Sequence, residues 1–179
     1  MKRVWFKGQL TDGDIAVSPF DRGLMLGDGL FETMLVVNGV ALGQRQHLAR
    51  LHASADRLGI AFPGKEIADS VAALCRDITS HHVLRLTLTR GSAGRGLAVD
   101  TDDATYLATL QPFNAAVMFQ PMDFMLVSVC RNETSEASRM KTTSYMDQII
   151  AAREAQAETA AEALMLNTRG MLASATIGN

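Results

Sequence analysis

The chain has 179 residues, a formal net charge of −2 and 47% hydrophobic residues. This composition is typical of a globular protein of one or two domains, and the near-neutral charge provides no basic surface for nucleic acid. The sequence has no basic amphipathic segment, no long apolar run and no apolar signal-peptide core at its N-terminus, so we predict no membrane partner. We therefore expect a cytoplasmic protein that acts on small molecules.

The N-terminal part alternates strand-like and helix-like patterns. Asn38-Gly39 follows an apolar run and predicts a hairpin turn, while Gly59 predicts the end of a helix. The predicted elements, from apolar periodicity, are a strand at 30–37, helices at 47–58 and 65–79, a strand at 83–90, a glycine-rich loop at 91–96 and a strand at 104–110.

Two prolines, Pro112 and Pro121, bracket a short apolar stretch and predict a linker between two lobes. We expect an N-terminal α/β lobe at 1–113, a linker at 114–121 and the first part of a second lobe at 122–179. The elements predicted for the second lobe are a strand at 124–129, a polar loop at 131–139, a helix at 145–157, a strand at 163–167 and a strand from Met171. Because that last strand has no closing element after it, we expect the sequence to be part of a longer protein.

Lys141 is the best candidate nucleophile, since it lies just before an apolar-periodic segment in a chain whose other lysines are Lys2, Lys7 and Lys65. A neutral lysine amine attacks carbonyl carbon to form a Schiff base. Position alone does not distinguish such a residue from a solvated surface cation. The rest of the chain favours the nucleophile.

The run from Asp21 to Thr33 resembles the N-terminal signature of the class IV (fold-type IV) pyridoxal-phosphate aminotransferases. That family includes branched-chain aminotransferases, D-amino-acid transaminases and aminodeoxychorismate lyases. Further segments match it in order, namely 47–51, 90–96, Lys141 and 162–179. The resemblance implies an α/β (α+β) fold of two lobes, the second incomplete in this chain, with pyridoxal 5′-phosphate as cofactor and a homodimer as the assembly.

The resemblance also implies roles for residues that would hold the cofactor. Lys141 matches the Schiff-base lysine, and Arg50 matches the arginine that binds the phosphate, for which a guanidinium fork is well suited. Tyr145 matches a tyrosine near the phenolic oxygen, and one helical turn would place it on the same side as Lys141. The alternatives are an exposed helix arginine and a core tyrosine.

At one position the sequence departs from the family. Ser174 stands where a glutamate usually pairs with the pyridine nitrogen of the cofactor, and a hydroxyl provides a weaker hydrogen bond and no charge. Phe31 and Arg90 lie in matched segments that imply contacts with the substrate.

We expect a transaminase that moves an amino group between an amino acid and a 2-oxo acid. The loop at 90–96 favours an aminodeoxychorismate lyase, which would form pyruvate and 4-aminobenzoate, whereas Phe31 and Tyr145 favour a transaminase. Ser174 leaves a noncatalytic relative as a third alternative.

Other clusters of reactive residues are weak signals. His81 and His82 lack a third ligand at metal spacing, so no metal site is predicted. Cys75 and Cys130 lie in apolar segments, and we expect both to be buried thiols without a disulfide.

Overall fold

The computed structural model describes residues 2–177, which divide into two compact units. The first unit extends to Ala115 and includes Lys141–Thr143, and the second contains Ala116–Met140 and the described residues from Ser144 onward. The division falls inside the segment predicted as a linker. Lys141–Thr143 belongs to the first unit, although the predicted boundaries assign it to the second lobe.

The first unit is built on an antiparallel sheet. The elements of this unit are β1 (Arg3–Phe6), β2 (Gln9–Thr11), α1 (Arg22–Leu26), β3 (Gly29–Val37), β4 (Val40–Ala41), α2 (Gln44–Leu58), α3 (Gly64–Cys75), β5 (His82–Thr89) and β6 (Thr105–Pro112). Among the described residues, the strands lie in the order β2-β1-β6-β5-β3-β4.

One face of this sheet forms the core of the first unit. Alternate residues of a strand point to the same face of its sheet. In β5 the residues on the core face are Leu84, Leu86 and Leu88, which have no exposed surface. Helix α2 packs against β3, and α3 packs against β6 and β1. The alternation read from the sequence of β5 is therefore confirmed as a half-buried strand.

Local backbone preferences explain where the predicted elements begin and end. Asn38 and Gly39 have positive φ angles of 47° and 79° in the turn between β3 and β4, as predicted. Helix α2 ends at Leu58 and is capped by Gly59, whose φ of 63° is the left-handed conformation expected of a glycine that follows a helix. Helix α3 ends at Cys75, four residues before the predicted end, because Arg76, with a ψ of 133°, and Asp77, with a φ of 60°, are not helical.

The second unit contains β7 (Phe124–Leu126), α4 (Met146–Ala157), β8 (Glu162–Leu166) and β9 (Leu172–Ala175). Its strands form a small sheet in the order β7-β8-β9. Strands β7 and β8 are parallel, and β8 and β9 are antiparallel. Ala151 and Ala155 of α4 are buried with Ala163 and Met165 of β8. These elements are close to those predicted, although β7 is shorter than the predicted strand and a short 3-10 helix (Glu136–Arg139) occurs in the predicted polar loop.

The two cysteines differ in their surroundings. Cys75 is buried as expected, and burial raises the pKa of its thiol. The expectation is wrong for Cys130, which is exposed. Val127 is buried and Val129 is partly buried, so alternate residues of this segment face inward. Cys130 lies at the next position after Val129 and therefore faces outward.

No helix within residues 2–177 is long and apolar enough to cross a membrane. Among the same residues, no group of three His, Cys, Asp or Glu side chains could hold a metal ion.

Candidate active site

The backbone around Lys141 is paired with the edge of β3. The amide of Phe31 donates to the Lys141 carbonyl at 2.9 Å, and the amide of Thr143 donates to the Gly29 carbonyl at 2.9 Å. The Thr143 hydroxyl also donates to the Gly27 carbonyl at 2.9 Å. These bonds hold the backbone of the candidate nucleophile against a strand, and a regular element supports a side chain more precisely than a loop does.

Gly29 permits this close approach. A Cβ atom at Gly29 would lie 3.0 Å from the Leu88 carbonyl oxygen and 3.1 Å from the Thr143 hydroxyl oxygen, closer than ordinary van der Waals contact. The absence of a side chain therefore lets the Lys141 segment lie directly against β3.

The side chain of Lys141 lies on the ring of Phe31. Its ammonium nitrogen is 4.5 Å from the ring centroid, and the guanidinium carbon of Arg85 is 3.8 Å from the same centroid. Aromatic faces attract cations, so the ring holds both groups. Phe31 thus contacts the candidate nucleophile, and its predicted role in substrate binding stays a prediction.

The sequence patterns above did not indicate Arg85 as a site residue. The sequence feature that could have identified Arg85 is the polar face of β5, where Arg85 and Thr87 alternate with buried leucines. The register of the sheet pairs Phe31 with Thr87 and Thr33 with Arg85, which places Arg85 diagonally across from Phe31. Only the folded structure, through this strand pairing and the contact of Lys141 with Phe31, shows that Arg85 and Lys141 share a ring.

Arg50 is held by a carboxylate. Its Nε and Nη2 atoms each donate to one oxygen of Glu32 at 2.6 Å, and Nδ1 of His47 lies 2.7 Å from Oε2 of the same carboxylate. Glu32 is 1% exposed, whereas the side chain of Arg50 is 53% exposed. The predicted phosphate-binding arginine is thus half-exposed and oriented by a buried acid.

Arg90 is buried and forms hydrogen bonds with the surrounding backbone. Its guanidinium donates to the carbonyls of Leu58 and Gly59 at 2.6 and 2.8 Å, and to Asp28 at 2.8 Å. It therefore satisfies carbonyl groups at the C-terminal end of α2. The structure gives Arg90 these intramolecular partners, and its role in substrate binding stays a prediction.

Asp28 joins Arg90 to Arg22. The Nε atom of Arg22 donates to Asp28 at 2.8 Å, and its two terminal nitrogens donate to the carbonyls of Gly96 and Leu97 at 2.8 and 3.0 Å. Burial alone would raise the pKa of Asp28, but the hydrogen bonds from Arg90 and Arg22 outweigh it and hold the pKa below its ordinary value of 3.8. One carboxylate therefore connects α1, the end of α2 and the glycine-rich loop.

Tyr145 immediately precedes α4 and is partly buried. The expectation that one helical turn relates Lys141 to Tyr145 is wrong, because the helix begins at Met146 and the Lys141 segment pairs with β3 instead. Whether Tyr145 contacts the cofactor stays a prediction.

Ser174 lies on β9 opposite Met165 and is partly buried. The strand end beside it is held by Glu162, whose buried carboxylate accepts hydrogen bonds from the hydroxyl and amide of Thr176 and from the amide of Ile177. Burial raises the pKa of Glu162, but these donors, led by the Thr176 hydroxyl, bring it below its ordinary value. The last two residues of the predicted closing signature, Gly178 and Asn179, lie outside the described residues.

Comparison with known proteins identifies the family. Residues 29–179 match the family model described as amino-transferase class IV. The chain belongs to the class IV aminotransferases. The resemblance seen in the sequence is thereby confirmed, and the cofactor of this family is pyridoxal 5′-phosphate.

Individual relatives carry two kinds of name. A putative branched-chain-amino-acid aminotransferase of Methanocaldococcus jannaschii is 28% identical, with 99% of this chain and 64% of that protein covered. An aminodeoxychorismate lyase of Bacillus subtilis is 26% identical, with 95% of this chain and 60% of that protein covered. The chain therefore spans about three fifths of the length of these relatives.

The predicted fold class is confirmed by a solved structure. The branched-chain aminotransferase of Thermoproteus uzoniensis with norvaline matches with a TM-score of 0.86 at 25% identity, covering 97% of this chain and 62% of that one. The fold of this chain is thus that of the fold-type IV aminotransferases.

Proposed function

We propose that the protein is a pyridoxal-phosphate-dependent transaminase that moves an amino group between an amino acid and a 2-oxo acid. The observation that carries this proposal is the fixation of Lys141, whose backbone is paired with β3 and whose amine lies on the Phe31 ring. A lysine that is held both through its backbone and through its side-chain amine differs from an ordinary solvated surface lysine. We include in the proposal a homodimeric assembly and a cytoplasmic location.

The side chains of the first unit fit the cofactor chemically. Lys141 offers an amine for an aldehyde, and Arg50 offers a half-exposed guanidinium for a phosphate. The positive charge of Arg85 lies on the same ring as Lys141, which adds to a local field suited to anions. When bound, pyridoxal phosphate supplies an electron sink for the carbon that bears the amino group.

In this proposal Lys141 has two tasks. Its amine would hold the cofactor, and its Nζ would also accept the proton that leaves the substrate α-carbon and pass it on within the site. Phe31 orients the amine through the face of its ring. Arg50 binds the phosphate and so prevents the cofactor from leaving between the two half-reactions.

An aminodeoxychorismate lyase is the second candidate. It is favoured by the match to the lyase of Bacillus subtilis and by the loop after Arg90, which Arg22 fastens at Gly96 and Leu97. The same lysine would then serve an elimination that leaves pyruvate and 4-aminobenzoate. A noncatalytic relative remains the alternative that Ser174 suggests.

The experiment that tests the proposal is borohydride reduction of the full chain after incubation with pyridoxal phosphate. We expect a visible absorbance band that borohydride removes, and a reduced label at Lys141 in the peptide map. Lys141→Ala should lose both, while Lys65→Ala, which alters an exposed lysine paired with Asp69, should keep both. A label at Lys65, or no label, would contradict the proposal.

Product analysis then separates the two reactions. Incubation with amino acids should convert the cofactor into pyridoxamine phosphate if the protein is a transaminase. Formation of pyruvate and 4-aminobenzoate from aminodeoxychorismate would identify the lyase instead.

A further inference from the structure

Glu32 is a charged side chain on the buried face of β3. It is 1% exposed and lies in the same strand as the core residues Leu30 and Met34. An ionised carboxylate in such a position is costly unless it is paired and hydrogen-bonded. The partners of Glu32 therefore explain why the side chain is tolerated there.

The first partner is the guanidinium of Arg50, which Glu32 binds in a fork. Nε donates to Oε1 and Nη2 to Oε2, both at 2.6 Å. Because the guanidinium is planar and rigid, fixing this edge also fixes the direction of the rest of the group. Glu32 thus determines the direction in which Arg50 faces.

The second partner is His47, one turn before Arg50 on α2. Its Nδ1 atom lies 2.7 Å from Oε2, the same oxygen that accepts from Nη2 of Arg50. A protonated Nδ1 can donate to this oxygen and oppose rotation of the carboxylate. Three side chains from two elements therefore form one connected group, which we call the Glu32 triad (Glu32, His47 and Arg50).

The exposed fractions of Glu32 and Arg50 favour a role for Glu32 in positioning Arg50. An ion pair with a half-exposed arginine contributes little to stability, so burial of Glu32 is poorly explained by stability alone. An arginine that is already oriented loses less side-chain freedom when it binds an anion. The arrangement is therefore suited to an arginine that must bind an anion.

We propose that Glu32 is a positioning residue that holds the guanidinium of Arg50 in the orientation for binding the cofactor phosphate, with His47 supporting the carboxylate. This inference rests on the proposed function, in which Arg50 binds that phosphate. It adds two residues, Glu32 and His47, that act through Arg50.

The test measures phosphate selectivity, the ratio of the dissociation constants of pyridoxal and pyridoxal 5′-phosphate, in the full chain. We expect Glu32→Gln to lower this selectivity about tenfold, the loss expected when a charge-assisted contact is misplaced. Arg50→Ala should lower it at least as much. Asp69→Asn, which removes a surface carboxylate paired with Lys65, is the matched control and should leave it unchanged.

A double variant separates positioning from a general loss of structure. In Arg50→Ala/Glu32→Gln, the second change should have no additional effect on selectivity, because Glu32 acts only through Arg50. Additive losses would contradict the positioning role. Glu32→Asp, which keeps the charge on a shorter side chain, should restore part of the selectivity lost in Glu32→Gln.

The outcomes for the two proposals are distinguishable. If Arg50→Ala retains selectivity, the proposed phosphate-binding role itself is wrong. If Arg50→Ala loses selectivity and Glu32→Gln does not, only the positioning role is wrong. Should Glu32→Gln fail to fold, His47→Ala provides the test, with a smaller loss expected and His52→Ala as its control on the same helix. Unchanged selectivity in His47→Ala would then overturn the inference.

Discussion

Phe31 and Lys141 are joined twice, once through the backbone and once through their side chains. The Phe31 amide donates to the Lys141 carbonyl at 2.9 Å, and the Lys141 ammonium lies 4.5 Å from the centre of the Phe31 ring. The next residue, Glu32, points to the opposite face of β3 and holds Arg50. Two consecutive residues therefore support Lys141 and Arg50, the two side chains of the first unit to which we assign cofactor binding.

Replacing the Phe31 ring should impair the use of Lys141. We expect Phe31→Leu to slow the appearance of the visible band after addition of pyridoxal phosphate, because the Lys141 side chain loses the ring that holds it in place, a contact typically worth about 0.5–2 kcal/mol. Phe31→Tyr keeps the aromatic face and should remain close to the parent. Stopped-flow absorbance measures both rates, and equal rates for Phe31→Leu and the parent would show that the ring does not orient the amine.

Adding a methyl group at Gly29 should displace the Lys141 segment. The new Cβ would meet Leu88 and Thr143, so Gly29→Ala should lower the free energy of unfolding by about 1–3 kcal/mol, the usual cost of overpacking. Borohydride labelling at Lys141 should fall as well.

Gly64→Ala is the control for this prediction. Its Cβ would make only ordinary contacts with Phe62 at 3.4 Å, at the beginning of α3. Alanine favours a helix over glycine, so the control should be as stable as the parent or more stable. Denaturant unfolding measures the free energy of unfolding of Gly29→Ala and Gly64→Ala. Equal values for the two variants would refute the close approach at Gly29.

Neutralising Asp28 should destabilise the first unit. Asp28→Asn leaves Arg22 and Arg90 without a counter-charge, although their side chains are only 6% and 10% exposed. We expect a loss of about 3–5 kcal/mol in the free energy of unfolding, the range for removal of one partner from a buried ion pair. Urea unfolding at neutral pH measures this loss.

The pH dependence of the same variant has a defined sign. The folded-state pKa of Asp28 lies below its ordinary value of 3.8, so the folded protein favours the ionised carboxylate. The contribution of the ionised Asp28 to stability is complete above pH 3.8, the ordinary pKa, and is lost as the pH falls through the lower pKa of the folded state. The difference in stability between parent and Asp28→Asn should therefore shrink in acid, and a difference that grew below pH 3.8 would contradict the assigned shift.

Ser174→Glu tests the departure from the family pattern. If Ser174 lies at the ring nitrogen, a carboxylate there should favour the protonated pyridine and speed single-turnover formation of pyridoxamine phosphate. Single-turnover kinetics with the cofactor bound separates chemistry from cofactor loss. An unchanged rate with full cofactor occupancy would show that Ser174 does not face the ring.

Much of the fold could be predicted because its signals are local. The alternating leucines of β5, the Asn38-Gly39 turn and the Gly59 helix end depend on side-chain period and backbone preference within a few residues. Helix α1 was missed because five residues are too short to show a helical period, even though Asp21 caps it through the Gly23 amide.

The sequence by itself determined the family, the main elements of both units and the choice of Lys141 as the candidate nucleophile, because ordered motifs and periodicity are written along the chain. Only the tertiary structure decided which side chains meet. Arg85 shares a ring with Lys141, Glu32 holds Arg50, and Arg90 is buried against the end of α2. The folded chain makes these contacts between residues that lie from 18 to 110 positions apart in the sequence. Such contacts depend on which strands pair and in which register, and the spacing of residues along one segment does not name the partner segment.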